Sequence, residues 1–174
     1  MEDKNMSKKY ELTDETMEWE GHTLHRIKAL RDFNSVKAGD LGGWVESEDN
    51  LSQYEKCWLY GNAIVCDNAR VCNNARVCNN ARIYDNAIVY GDARVCGNAR
   101  VCGNARVCGN ARVYGDARVC GNARVYGNAI VCDNARVYGN ARIYGNAIVY
   151  GDARIYGNAI VCDDARVYGN AIVC

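Results

Sequence analysis

The chain has 174 residues, no proline, 17 glycines and 49% apolar residues, enough for one domain with a real core and too apolar for global disorder. Its formal net charge is zero, no apolar run approaches the ~18 residues of a membrane span, and the polar start Met1-Glu2-Asp3-Lys4-Asn5 is no targeting segment, so the sequence predicts a cytoplasmic protein without a membrane partner. The zero conceals an asymmetry: residues 1–62 carry 8 Lys+Arg against 13 Asp+Glu, whereas residues 63–174 carry 13 Arg and no Lys against 8 Asp. That balance favours head-to-tail contact or an anionic ligand and argues against a nucleic-acid partner, which needs a broad cationic footprint.

In chain order, residues 1–9 read as a frayed tail. Tyr10-Glu11-Leu12 starts a strand. Met17-Glu18-Trp19-Glu20 alternates apolar and polar, Gly21 marks a turn, and Thr23-Leu24-His25-Arg26-Ile27 alternates again, which is a hairpin signal. Ala29-Leu30-Arg31-Asp32-Phe33 continues it. Residues 36–45 form a glycine-rich entry in which Gly42 and Gly43 permit close backbone approach and Trp44 covers the open end of the repeat region. The reading divides the chain into a tail, hairpin and cap at 1–44 and a repeat domain at 45–174.

From Ala63 the pattern Ala–(Arg/Ile)–(Val/Ile)–(Cys/Tyr)–(Gly/Asp/Asn)–(Asn/Asp) recurs every six residues. Alanine returns 19 times to Ala171 without an insertion, and Val or Ile always holds the third slot. In Ala99-Arg100-Val101-Cys102 the first and third residues face one way and the others the opposite way. Gly103-Asn104 supplies a corner. A period of six keeps no single face of a 3.6-residue helix. Upstream, Val45, Leu51 and Cys57 fall on the alanine slot by counting, so residues 45–62 read as an imperfect first coil.

This small-x-aliphatic hexad resembles the hexapeptide-repeat family. The resemblance implies an all-β fold, a left-handed parallel β-helix with three hexads per coil and here about seven coils, with alanine and valine inside. Residues 18 apart then stack. The first face carries Arg82, Arg100, Arg118, Arg136 and Arg154 beside Tyr84, Cys102, Cys120, Tyr138 and Tyr156. The second carries Arg70, Ile88, Arg106, Arg124, Arg142 and Ile160. The third carries Arg76, Arg94, Arg112, Ile130, Ile148 and Arg166. Stacked arginines repel, so acidic corners, tyrosine or an anion must offset them. Asp116 and Asp152 are placed to pair with Arg118 and Arg154. The candidate ligand-binding residues are Arg82, Arg100, Arg118, Arg136, Arg154, Tyr84, Tyr138 and Tyr156. Ile130 and Ile148 form an apolar strip suited to a lateral contact between copies.

Ten of the 11 cysteines, all but Cys57, share one outward slot with tyrosine, and a uniform six-residue spacing sends neighbours to different faces, so neither a disulfide scaffold nor a metal site is expected. No cofactor is expected. The run Ala29–Phe33, then Lys37–Trp44, then Glu48–Ser52, resembles the head of hexapeptide-repeat proteins from bacteria and phages, a group without a shared activity. Acyltransferases of the hexapeptide-repeat family use a histidine on or near a coil, a protruding loop and a C-terminal helix. This chain has only His22 and His25, both in the predicted hairpin and read as solvated, and the repeat stops in mid-hexad at Cys174. The sequence therefore predicts a non-enzymatic, homo-oligomeric binding or scaffold protein. Its ligand is expected to be an anionic, nucleotide-like small molecule, by analogy with phage proteins that sequester immune signals, or an acidic partner. A self-assembling structural element and a degenerate acyltransferase are the alternatives.

Overall fold

A computed structural model describes residues 8–174; the expected tail at residues 1–7 lies outside them. Three strands open the fold: β1 (Tyr10–Trp19), β2 (His22–Ala29) and β3 (Leu41–Val45). β1 and β2 form an antiparallel hairpin closed by Glu20-Gly21, both at positive φ (46° and 89°), a two-residue turn that matches strand twist. β2 ends at Ala29, short of the expected continuation to Phe33. Residues 30–40 instead fold as a loop pinned by a Phe33–Val36 bridge. No α-helix occurs among the described residues.

From Trp58 onward the chain is a ladder of two-residue rungs at Arg/Ile–Val/Ile. The rungs assemble into three parallel sheets, and every pairing from Trp58–Leu59 upward joins residues 18 apart, as in Arg100↔Arg118 and Val101↔Val119. The chain therefore turns through about seven coils of a single parallel β-helix. Each rung bonds the coil above at three points: Arg100 N–H donates to Ala117 O (2.9 Å), Cys102 N–H to Val119 O (3.0 Å) and Asn104 N–H to Gly121 O (2.8 Å). Alanines 63 to 153 and the aliphatic third slots to Ile155 have at most 1% exposure, so the prism interior is Ala and Val/Ile as the hexad predicts. Corner glycines occupy the left-handed region. At Gly103 (φ 64°) a Cβ would also sit 2.9 Å from Gly121 N, so glycine is favoured by both position and backbone angle, although Asp or Asn holds the same slot in other coils, as at Asp85 (φ 59°).

The first coil departs from the counted register. Val45 pairs with Val65 and Leu51 with Val71, both 20 residues apart, so they occupy the valine slot; only Cys57 keeps the alanine slot. Two extra residues are accommodated between Ser52, which donates to Val71 O, and Lys56, which donates to Asn73 O. The widened segment grips the head. Gln53 Oε1 accepts from the Lys9 and Tyr10 amides (2.9 and 3.2 Å), and Gln53 Nε2 donates to Tyr10 O (3.1 Å). Lys9, expected in the frayed tail, is fully buried: Lys9 Nζ donates to Cys57 O (2.8 Å) and lies 3.3 Å from Cys57 Sγ. Burial holds the Lys9 pKa below its ordinary value.

β2 pairs antiparallel with β3, and β3 pairs parallel with Ile64–Val65, so the hairpin continues the first-face sheet and covers its unpaired edge. Trp44 does not close the prism. It stands on the outer side of that sheet, in register with Ile64 and under the Arg26 guanidinium (5.1 Å). The aromatic packing beneath the first coil comes from Trp58, edge-on to Tyr10 (6.2 Å) and Phe33 (5.3 Å). Gly42 and Gly43 are required sterically. A Cβ on Gly42 would meet Ile27 Cγ1 at 2.6 Å and Trp58 Cζ2 at 2.7 Å, and one on Gly43 would collide with Ala63 O. All three tryptophans, at 19, 44 and 58, belong to the head and first coil. Gly43→Ala is therefore expected to destabilise head docking by about 1–3 kcal/mol. In denaturant titrations the tryptophan-fluorescence transition should shift earlier, while the far-UV circular dichroism transition of the upper coils stays in place.

Candidate functional site

The three arginine columns stand as the spacing predicts. Arg82, Arg100, Arg118, Arg136 and Arg154 pair rung to rung on the first face. Arg106, Arg124 and Arg142 do so on the second. The first column is not uniformly accessible. The hairpin tip curls back over the outer sheet, placing the Trp19 ring 5.5 Å from the Arg82 guanidinium and 5.8 Å from the Tyr84 ring. Leu24, Trp44, Ile64 and Cys66 bury a second small apolar cluster beneath it. Arg82 and Tyr84, two of the expected ligand-binding residues, thus belong to the head's docking surface. Arg118, Arg136 and Arg154 remain exposed.

Asp116 and Asp152 do not pair with Arg118 or Arg154. Among the described residues, no coil arginine makes an ion pair. The corner residues instead hydrogen-bond to one another. Asn110 Nδ2 donates to Asn128 Oδ1, Asn128 to Asn146 and Asn146 to Asp164, at 3.0–3.1 Å, and parallel ladders run along the other two corners. Asp116 accepts from Asn98 (2.9 Å) and Asp152 from Asn134 (3.1 Å). A carboxylate has no hydrogen to pass on, so each aspartate ends its run. Tyrosines likewise stack on each other rather than on arginine: Tyr126 on Tyr144 (5.0 Å), Tyr138 on Tyr156 and Tyr150 on Tyr168 (both 5.3 Å). The stacking is a direct result of rung spacing, since ring faces repeat every coil.

The most developed concavity lies on the second face. A polar groove of about 720 Å³ runs along its corner, between the asparagines from Asn86 to Asn158 and the column Arg106, Arg124, Arg142. On the other side of the same arginines a second hollow of about 230 Å³ is walled by Tyr90, Cys108 and Tyr126. The second-face arginines therefore stand between an amide ladder and an aromatic wall, exposed and without carboxylate partners. Column counting makes the faces equivalent; what separates them is the head, which covers the first.

The histidines sit on opposite sides of β2 as their odd spacing requires, but His22 is not solvated. Its Nδ1 lies 3.2 Å from Glu46 Oε1 and its Nε2 3.4 Å from Asp67 Oδ1. The hydrogen bond to Glu46 and the nearby Asp67 charge raise its pKa. Cys66, buried beside it, is pushed up to about 12 by burial and by Asp67 and Glu46. His25 Nδ1 lies 3.3 Å from Thr13 O. Neither histidine adjoins the second-face groove.

All 11 cysteines are free thiols. Cys78 stacks on Cys96 and Cys102 on Cys120. In each pair the neighbouring thiol holds Cys96 or Cys102 below the ordinary thiol range and its partner above it. Cys96 and Cys102 should therefore be alkylated by iodoacetamide at pH 7.5 well before Cys66, as read by peptide mass mapping. Cys120→Ala, which removes the neighbouring thiol, should slow labelling of Cys102.

Comparison with known proteins agrees with this architecture. The family model described as "YdcK Beta solenoid repeat" matches residues 81–97, 93–108, 105–119, 117–133, 141–153 and 161–174. The chain is also similar to "Uncharacterized acetyltransferase YdcK" of Escherichia coli (strain K12), with 50% identity over 42 residues. That match covers 24% of this chain and 13% of the relative, so it extends over a small part of either protein. The repeat matches and the three-sheet coil geometry together fit a parallel β-solenoid of the hexapeptide-repeat type.

Proposed function

We propose that the coils serve as a non-enzymatic binding surface for an anionic ligand, a phosphate-bearing, nucleotide-like small molecule or an acidic partner, centred on Arg106, Arg124 and Arg142. One observation carries this reading: three exposed guanidiniums stand in register, unpaired, between an amide ladder and a tyrosine wall. At a rung spacing of about 4.8 Å, each adjacent pair repels by roughly 1 kcal/mol even in a water-like dielectric. A bound anion reverses that repulsion. Guanidiniums suit phosphate or carboxylate oxygens because they bind them bidentately. The asparagines offer further donors and acceptors along the groove, and the Tyr90 and Tyr126 rings offer an aromatic face to a planar ligand. Pairing of copies through the apolar Ile130–Ile148 strip extends the reading to a homo-oligomer in which grooves from neighbouring chains share a ligand.

Acetyl transfer is the second reading, favoured by the name of the E. coli relative. Two features weigh against it. The chain has only two histidines, and both are engaged, His22 with Glu46 and Asp67 and His25 with Thr13 O. The groove carries neither histidine nor carboxylate among its lining residues. Acetylation of a primary amine or hydroxyl that is lost in His22→Ala or His25→Ala would decide for this second reading.

The binding reading is tested by thermal shift and calorimetric titration against mono-, di- and cyclic nucleotides and inorganic polyphosphate. A ligand at 100 times its Kd should stabilise the protein by about 2.7 kcal/mol. Arg124→Ala should weaken binding about tenfold to a hundredfold, the worth of a charge-assisted hydrogen bond at about 1.5–3 kcal/mol. Arg118→Ala on the first face should leave it unchanged. No response across the panel, or equal losses in both variants, removes the second-face groove as the site.

A further inference from the structure

The junction of the hairpin tip with the first two coils gathers ligating atoms of three kinds. His22 opens β2, Cys66 and Asp67 come directly after the Ile64–Val65 rung at a corner, and their side-chain N, S and O atoms lie within 4.8 Å of one another. Asp67 is fixed for this arrangement. It sits in the left-handed region (φ 56°) at a corner slot that most coils fill with glycine, and its Oδ2 accepts from the Asp85 amide (3.2 Å), leaving Oδ1 directed at His22 Nε2. Glu46 is held as well. Its Oε2 accepts from the Asp67 amide (2.7 Å), and its Oε1 faces His22 Nδ1 (3.2 Å). The histidine thus has one ring nitrogen against a fixed carboxylate and the other facing a thiol and a second carboxylate.

We propose that His22, Cys66 and Asp67 form a divalent-metal site of the zinc class, with Glu46 as the positioning carboxylate behind the histidine. The donor set of imidazole, thiolate and carboxylate selects zinc over the all-oxygen cations. The geometry fits. Two bonds of about 2.1 Å at a tetrahedral angle separate their ligand atoms by about 3.4 Å, and His22 Nε2 lies 3.4 Å from Asp67 Oδ1. Glu46 on Nδ1 reproduces the carboxylate–histidine–metal relay that fixes the tautomer of a ligating histidine. Three protein ligands leave the fourth position to water. Binding converts the Cys66 thiol to a thiolate and releases its proton to solvent, and the metal cation neutralises a corner where a thiolate would otherwise face two carboxylates. The site joins residues 44 and 45 positions apart, so a bound ion staples the hairpin tip to the coils and holds Trp19 over Arg82. Counting coil cysteines could not reveal it, because the histidine comes from outside the repeat.

The test is a titration of the full-length, reduced, metal-free protein with cobalt(II), followed by competition with zinc. One cobalt per chain is expected, with a sulfur-to-cobalt charge-transfer band and quenching of tryptophan fluorescence, since the Trp19 ring lies 6.5 Å from that of His22. Cys66→Ser should abolish the band and His22→Ala should weaken binding at least tenfold. Glu46→Gln should weaken it about 10–100-fold while keeping the band. Cys102→Ser, in the outer column, should change nothing. Far-UV circular dichroism of each variant checks that the coils remain folded. A band that survives Cys66→Ser, a band lost in Cys102→Ser, or binding without tryptophan quenching overturns the assignment, as does the absence of stoichiometric binding.

Discussion

The rest of the structure depends on the hydrogen-bonded stacking of one coil on the next. A two-residue rung cannot bury its own side chains or satisfy its own backbone. It does both only when an identical rung lies above and below, at about 4.8 Å. That requirement sets the composition. Above the first coil the prism interior takes alanine and a β-branched residue in every hexad and holds no polar side chain, since nothing there could bond it. The corners must turn the chain from one face to the next within two residues, so glycine, asparagine or aspartate occupies the left-handed position. What remains free is the outer surface, where arginine, isoleucine, cysteine and tyrosine vary from coil to coil.

The same stacking turns single residues into columns. An asparagine at one corner is a local hydrogen-bonding group; repeated every 18 residues it becomes a directional ladder. A tyrosine becomes a stack of parallel rings, a pair of cysteines becomes a coupled thiol pair, and an arginine becomes a line of unneutralised charge. The proposed anion groove arises from two such columns side by side. Its separation from the first face is the work of the head, whose tip covers Arg82 and Tyr84 and makes equivalent faces inequivalent.

Periodic features are legible in the amino-acid sequence, and aperiodic ones are not. The inside–outside assignment of every hexad and the partners of every coil arginine can be read directly, because each rests on the counts of two, six and 18. The register of Val45 and Leu51 cannot. Two added residues near Gln53 leave the in–out alternation of a strand unchanged, so both side chains point inward in either register and only the pairing partner differs. The corner aspartates bond asparagine rather than the arginines expected for them, because charge alone says nothing of hydrogen-bond direction. A neighbouring asparagine one coil below is nearer and better aimed. Lys9 and His22 depart from their expected solvated settings because their partners lie 48 and 45 residues away, in contacts that belong to the head's tertiary fold and to no local pattern.

The head is joined to the coils through a strand that serves both, and above it every unit of 18 residues makes the same bonds to its neighbours. Excising or duplicating such a unit rejoins identical surfaces, with no loop to redesign and no corner to rebuild. The reach of the grooves along the axis is thus an adjustable dimension: recombination between near-identical gene segments can lengthen or shorten them in steps of one coil, matching ligand size without altering either the chemistry of a rung or the docking of the head.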